Sequence, residues 1–302
     1  MANPSWTTTR ITTSVMAIID DLELRLRRLL PEQASQAVEL SAEVGWNQIE
    51  SDWRLMMEMG DASSLWDRDE HLVATALMLP FDGPFGWISM VLVTSSWQRR
   101  GLATELLKQA MDGLRGRGLV PGLDATEGGR EVYAPLGFRD VYPIVRMRAD
   151  RIDPGRLPKT SRNSVRSIEK YDAESVRTYD RAVFGAGREA LLDDLRGRAP
   201  DLAWLADEGS GFVLGRDGRV ATQIGPLSAD NIDAAKALLG RALENTAGPT
   251  FIDVPAGQAE FVDYLAGAGF RPQRGFMRML FGRSEPFDDP ERVFAVAGPE
   301  LG

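Results

Sequence analysis

The spacing of apolar positions changes several times along the chain, and each change predicts an element. From Leu22 the run LELRLRRL alternates apolar and charged residues, the period of a half-buried strand. Pro31 then opens a helix running toward Gly45, and a second helix is expected from Asn47 to about Met59. Strands are expected at His71–Leu79 and Trp87–Thr94, joined by the turn signal Asp82-Gly83-Pro84. Leu102, Leu106, Leu107, Ala110 and Leu114 fall on one helical face, which predicts a helix from about Gly101 to the glycines Gly116 and Gly118. A strand over Leu119–Leu123, a short helix near Arg130–Pro135 and a strand through Ile144–Arg148 follow. The order β, α, α, β-hairpin, α, β, α, β predicts a mixed α/β layer with one central sheet.

The second half repeats this order, beginning with a strand at Ser167–Tyr171 and helical stretches at Ala173–Phe184 and Gly187–Arg196. Shifting the chain by 132 residues places Leu106-Leu107 on Leu238-Leu239, Gly137-Phe138-Arg139 on Gly269-Phe270-Arg271 and Arg146-Met147 on Arg278-Met279. Between Ala103 and Met147 eleven of 45 positions are identical without a gap, so tandem copies of one fold are expected. The expected organisation is a flexible leader over 1–15, rich in Thr and Ser, a first domain over 16–150, a Pro-containing linker over 151–166 and a second domain over 167–302.

Composition narrows the chemistry. The 302 residues hold no cysteine and one histidine, His71, which removes thiol nucleophiles, disulfides and zinc sites built on thiolates or several imidazoles; no metal is expected. A net charge of -9 disfavours a nucleic-acid partner and mildly favours a cationic small molecule. The longest apolar stretches, such as Phe85–Val93, fall short of the ~20 residues of a spanning helix, and no signal-peptide pattern opens the chain, so a cytoplasmic protein off the membrane is expected.

The most informative stretch is VLVTSSWQRRGLATELL, Val91–Leu107: a strand, a short turn, Gln98-x-x-Gly101-x-Ala103, then an amphipathic helix. Unpaired N–H groups at a helix start lie at the positive end of the helix dipole and bind phosphate oxygens, and small residues at Gly101 and Ala103 allow close approach. This segment resembles the acetyl-CoA motif of the GCN5-related N-acetyltransferases (GNAT family). The resemblance implies that the backbone of Val91 and Val93 pairs with the pantetheine arm of coenzyme A. It also implies that Arg99, Arg100, Gly101, Leu102, Ala103 and Thr104 grip the pyrophosphate, with Gln98 bracing the loop. Tyr133-Ala134-Pro135-Leu136-Gly137-Phe138 resembles the Tyr-x-x-x-Gly-Phe signature that closes the same fold. By that resemblance Tyr133 is the acid that protonates the departing thiolate; a packing tyrosine is the alternative. The fold implied is two tandem GNAT-like domains, each a central twisted mixed sheet flanked by helices.

An attacking amine must first lose a proton, and a carboxylate is the usual device. Asp124 and Glu127 stand before the Tyr133 helix, but Asp124-x-x-Glu127 also has the spacing of a capping box. His71, among Asp67, Arg68, Asp69 and Glu70, reads as a surface histidine, and Trp87–Val93 holds no acid where the family often has a glutamate. The base stays open. Trp46, Trp53, Met56, Met57 and Met59 fit an apolar acceptor wall or ordinary core equally. The second copy places Asp230, Asp233 and Leu265 where the first has Gln98, Gly101 and Tyr133, which predicts a non-catalytic partner.

The function expected is transfer of acetyl from acetyl-CoA to a primary amine of a small molecule or peptide. The alternatives are an acyl-CoA-binding regulatory module and an enzyme resembling the tandem mycothiol synthases, which would keep the active motif in the second half.

Overall fold

The computed structural model describes residues 22–152, 164–246 and 248–302. The expected leader and residues 153–163 of the expected linker lie outside them. Contacts divide the chain into two compact units, one of residues 22–80 and 88–121, the other of 81–87 and 122–302. This division falls elsewhere than the repeat, because the closing elements of the first copy belong to the second unit.

In the first unit four strands run in the order β1 (Arg25–Arg28), β2 (Asp61–Trp66), β3 (Leu72–Pro80), β4 (Phe85–Val93, here its residues 88–93). Two helices, α1 (Ala34–Glu43) and α2 (Glu50–Met59), connect β1 to β2, and α3 (Leu102–Arg115) follows β4. Helix α3 forms as its spacing predicts: Leu102, Leu106, Leu107 and Leu114 are buried, and Leu102 and Leu106 join Leu24, Leu65 and Val73 in one apolar cluster. Trp53, Met56 and Met57 are core residues, the Trp53 indole donating to Ser41 Oγ at 3.2 Å. The sequence pattern missed β2, because Asp61-Ala62-Ser63-Ser64 lacks an apolar period. Ser64 is nevertheless buried, its hydroxyl donating to the Arg27 carbonyl at 3.0 Å and accepting from the Trp66 indole at 2.8 Å. A hydrogen-bonded hydroxyl costs little to bury.

The second unit holds β5 (Val120–Ala125, from Gly122 on), α4 (Glu127–Tyr133), β6 (Phe138–Ala149), β7 (Val165–Ser167), α5 (Ala173–Phe184), α6 (Glu189–Arg198), β8 (Trp204–Ala206), β9 (Gly211–Arg216), β10 (Thr222–Ala229), α7 (Ile232–Leu243), β11 (Thr250–Pro255), α8 (Ala259–Gly267), β12 (Arg271–Phe281) and β13 (Val293–Ala295). The strand expected over Ser167–Tyr171 lies earlier, at β7; Lys170–Asp172 is a 3-10 turn. Leu238, Leu239, Phe261 and Phe270 pack in the core around β10 and β11, each side chain worth about 1.5–3 kcal/mol of burial.

The sheet of this unit runs β5-β12-β6-β11-β10-β9-β8-β7, with β13 on β10. The last long strand of each copy therefore sits in the sheet of the other: β12 pairs with β5 and β6, and β6 pairs with β11. The exchange is reciprocal. Arg278 of β12 stands opposite Asp124 of β5, and Arg146 of β6 opposite Asp253 of β11. Arg146 and Arg278 are 132 residues apart, whereas Asp124 and Asp253 are 129 apart, so the ungapped repeat is locally offset at β5 and β11. Gly137 and Gly269, matched by the repeat, have φ of 101° and 98°.

Candidate functional site

Strand β4 reaches the loop through a kink. Met90 has φ of 51°, a left-handed conformation rare for a side chain of its size. Beyond it Val91 and Val93 are half-buried against the cluster of Leu24, Leu65 and Leu102. Thr94 then leads into a 3-10 turn over Ser95–Trp97. Gln98 is extended, and its side-chain amide donates to the Val93 carbonyl at 3.2 Å, a brace from loop to strand.

Two left-handed residues follow, Arg99 at φ of 61° and Gly101 at φ of 83°. Gly101 is the N-cap of α3 and offers no side chain, and the first helical bond runs from the Glu105 amide to the Gly101 carbonyl at 3.1 Å. The amides of Leu102, Ala103 and Thr104 thus open the helix without a side-chain cap. A Cβ at Gly101 would stand in open space, with nothing within 4 Å. Arg99 and Arg100 are exposed, and the Arg100 guanidinium lies 4.7 Å from the Trp97 ring centre. Leu102 is buried and anchors the helix start, while Ala103 and Thr104 are half-buried. Open donors at a positive helix end, an open approach over a glycine and the exposed cations of Arg99 and Arg100, the latter also donating to the Ser96 carbonyl at 3.5 Å, fit a pyrophosphate.

The second copy has closed its counterpart. Helix α7 is capped by Asn231, whose side chain accepts from the Ala234 amide at 3.0 Å. Asp230 accepts from the Tyr179 hydroxyl at 2.8 Å and pairs with Arg292 at 2.8 Å, and Asp233 lies inside the first turn. Strands β10 and β11 are parallel partners over Thr222–Ile224 and Thr250–Ile252. Farther along, β13 pairs with β10 at Leu227 and Ser228, and the Val296 amide donates to the Asp253 carbonyl of β11 at 2.9 Å. The fit is tight: a Cβ on Gly225 would lie 2.0 Å from the Val296 carbonyl oxygen. The chain's own strand fills the space where β10 and β11 part.

Tyr133, Glu127 and Asp124 belong to the second unit. Tyr133 ends α4, half-buried, its ring centre 6.2 Å from that of Phe138. Burial pushes its phenol above the usual value, so it stays protonated at neutral pH. Glu127 is exposed at the first position of α4. The cap of that helix is Thr126, whose hydroxyl accepts from the Gly129 amide at 3.2 Å; the capping box expected from Asp124 and Glu127 does not form, because Asp124 is still in β5.

The Asp124 side chain is fully buried. Its two oxygens accept from Nε and Nη2 of Arg278 at 2.9 and 3.0 Å. Nη1 of Arg278 donates to the Tyr142 hydroxyl at 2.8 Å and to Asp288 at 2.7 Å, and the Tyr142 hydroxyl donates to Asp288. Burial pushes the Asp124 carboxyl up, and the adjacent guanidinium pulls it part of the way back. Burial acts to lower Arg278, but Asp124, Tyr142 and Asp288 outweigh it and hold the guanidinium charged. Both Asp124 oxygens are engaged, which leaves Glu127, with no partner among the described residues, as the freer carboxylate of the pair. The repeat of Arg146-Met147 at Arg278-Met279 was the sequence signal for Arg278, though nothing local tied it to Asp124. His71 is exposed, its Nδ1 3.1 Å from Asp67. Asp67, Asp69 and His71 bring ligand atoms within 4.8 Å of one another at this turn, where Asp67 also accepts from the Asp69 and His71 amides.

Two family models match the chain: an acetyltransferase (GNAT) family over residues 27–138 and an acetyltransferase (GNAT) domain over 176–295. Among solved structures, one from Pyrococcus horikoshii assigned as an acetyltransferase is 22% identical, covers 92% of this chain and 96% of its own, and superposes with a TM-score of 0.78. A GCN5-related N-acetyltransferase from Sphaerobacter thermophilus is 14% identical over 89% of this chain and 98% of its own, with a TM-score of 0.60. A tandem GNAT protein from the clavulanic acid biosynthesis pathway is 15% identical over 85% of this chain and 98% of its own, also at 0.60. These similarities concern the fold. No curated protein matches the sequence.

Proposed function

We propose, on the premise that the chain belongs to the GNAT acetyltransferases and carries two copies of their domain, that it transfers acetyl from acetyl-CoA to a primary amine of a small molecule or peptide. Membership implies acyl transfer from acyl-CoA; the acetyl group and the amine are the proposal. The first copy, within 16–150, does the chemistry, and the second, within 167–302, does not. The observation that carries this is the left-handed, uncapped turn from Gln98 to Gly101 at the start of α3.

When bound, acyl-CoA supplies the activated acyl group and the thiolate that must leave. Leu102, Ala103 and Thr104 offer backbone N–H groups to its pyrophosphate, Arg99 and Arg100 offer charge, Gln98 holds the turn on β4, and the backbone of Val91 and Val93 pairs with the arm. Tyr133 holds a proton on its hydroxyl, and its raised pKa keeps it there at neutral pH. Glu127, directly or through water, takes the proton of the acceptor ammonium. Asp124 is reserved for Arg278 and acts as a brace. No described helix is long and apolar enough to cross a membrane, and a cytoplasmic location is part of the proposal.

The test is release of free coenzyme A from acetyl-CoA against a panel of primary amines, with Tyr133→Phe beside the parent. Turnover with at least one amine is expected. The variant should lose roughly 10²- to 10⁴-fold in kcat while binding acetyl-CoA as the parent does. Binding without turnover on any amine would make the protein an acyl-CoA-binding module instead.

A further inference from the structure

Helix α1 ends at Glu43, an exposed residue with an unusual pair of contacts. One carboxylate oxygen accepts from the Ser95 backbone amide at 2.7 Å and the other from the Thr94 hydroxyl at 2.7 Å. Both donors belong to the start of the loop that joins β4 to α3. Thr94 is the N-cap of the Ser95–Trp97 turn, yet its own side chain caps nothing; the carboxylate from α1 takes the place of that cap. These hydrogen bonds hold the Glu43 carboxyl below the usual range, so it is charged at neutral pH.

The loop needs such a fixture. Arg99 and Gly101 are both left-handed, and a strained turn persists only where its surroundings over-determine it. The Gln98 brace fixes the turn to the end of β4. Glu43 fixes the preceding residues to a different element of the same unit. The Thr94 amide adds a backbone bond to the Val73 carbonyl of β3 at 2.9 Å, but Ser95 has no such strand partner.

We propose that Glu43 is a positioning residue for acyl-CoA binding: by tying α1 to Thr94 and Ser95 it keeps the Gln98–Gly101 turn in the conformation that presents the amides of Leu102–Thr104. This rests on the reading of that turn as the pyrophosphate cradle. The role has a sign that a bystander would not share. A carboxylate close to an anion site repels the anion, so removal of a mere neighbour would tighten binding. Removal of a fixture weakens it.

The experiment is calorimetric titration of acetyl-CoA into the full chain as parent, Glu43→Ala, Glu43→Gln and Gly101→Asp, with thermal midpoints and steady-state kinetics on the first three. Glu43→Ala is expected to raise Kd and the KM for acetyl-CoA by roughly tenfold while leaving kcat at saturation within about twofold and the thermal midpoint unchanged, since the side chain is exposed. Glu43→Gln, whose single amide oxygen can still accept one of the two donors, should fall between. Unchanged or tighter binding by Glu43→Ala, with binding lost in Gly101→Asp, overturns the tether and leaves the cradle standing. Parent-like binding by Gly101→Asp overturns the cradle, and the tether with it.

Discussion

Arg278→Met takes away the guanidinium that donates four hydrogen bonds: two to Asp124 and one each to Asp288 and the Tyr142 hydroxyl. The side chains of Asp124, Asp288 and Arg278 are 0%, 4% and 4% exposed, so the discount that reduces a surface ion pair to about 0–1 kcal/mol does not apply. Removing one partner of a buried pair strands the other's charge, at a cost of about 3–5 kcal/mol. Methionine keeps the apolar stem beside Trp87, whose ring centre lies 4.7 Å from the guanidinium carbon, so little of the loss is packing. In a unit of 150–250 residues about 4 kcal/mol lowers the thermal midpoint by roughly 10 °C. The pH dependence follows from the same charges. Burial already raises Asp124 in the parent, and without Arg278 its folded pKa climbs further above an unfolded value of about 3.9. A carboxyl raised in the folded state stabilises the fold at a pH below its unfolded pKa and loses that contribution as pH rises toward the folded one. The deficit of Arg278→Met relative to the parent is therefore larger at pH 8 than at pH 5, and Asp124→Asn in the same chain should recover part of it. Urea and thermal unfolding at both pH values read this directly. A variant within about 1 kcal/mol of the parent at pH 8, or a deficit that deepens on acidification, would refute the reasoning.

Acetyl-CoA should bind once per chain, because α7 is capped by Asn231 and β13 fills the parting of β10 and β11; two equivalent sites by calorimetry would contradict this. Gly101→Asp should fold, since the site is open, at a cost of about 1–2 kcal/mol for its left-handed φ of 83°, and should lose acetyl-CoA binding. Asp233, its repeat counterpart, is no precedent for tolerance, being an ordinary helical residue. If Tyr133 is the acid, its raised pKa leaves kcat flat between pH 7 and 9 as far as this group is concerned; the loss comes only as pH rises through the phenol's own titration, which a pH–rate profile would show.

The elements with the cleanest apolar period were legible in advance. Helix α3 and strands β3 and β4 bury the residues their spacing selects, since the stripe itself drives the packing. Strand β2 was not, because Ser64 is buried through hydrogen bonds that leave no apolar signature. The turn from Gln98 to Gly101 and the helix start behind it were readable because their signal is local: one glycine, one glutamine and an apolar stripe within a few residues. The capping box considered for Asp124 does not form, and its ion pair with Arg278 was hidden for the opposite reason. Its partner lies 154 residues away, and only the pairing of β5 with β12 brings the two together. Glu43 gave no signal at all, since a glutamate at the end of an amphipathic helix looks like any solvated residue until β4 is in place.

The position of Arg271–Phe281 between Val120–Ala125 and Phe138–Ala149 sets a timetable for synthesis. When Ala149 leaves the ribosome, the strand that must separate it from Ala125 begins 122 residues downstream (271 − 149), or roughly 6–24 s away at 5–20 residues per second. For that interval the nascent chain carries two strand edges with bare N–H and C=O groups, the sort of surface on which wrong pairings nucleate. The wait also binds the fate of the two copies. A chain stopped at residue 150 lacks the strand that lies between Val120–Ala125 and Phe138–Ala149, so the two copies cannot be separated by a cut there without opening this sheet.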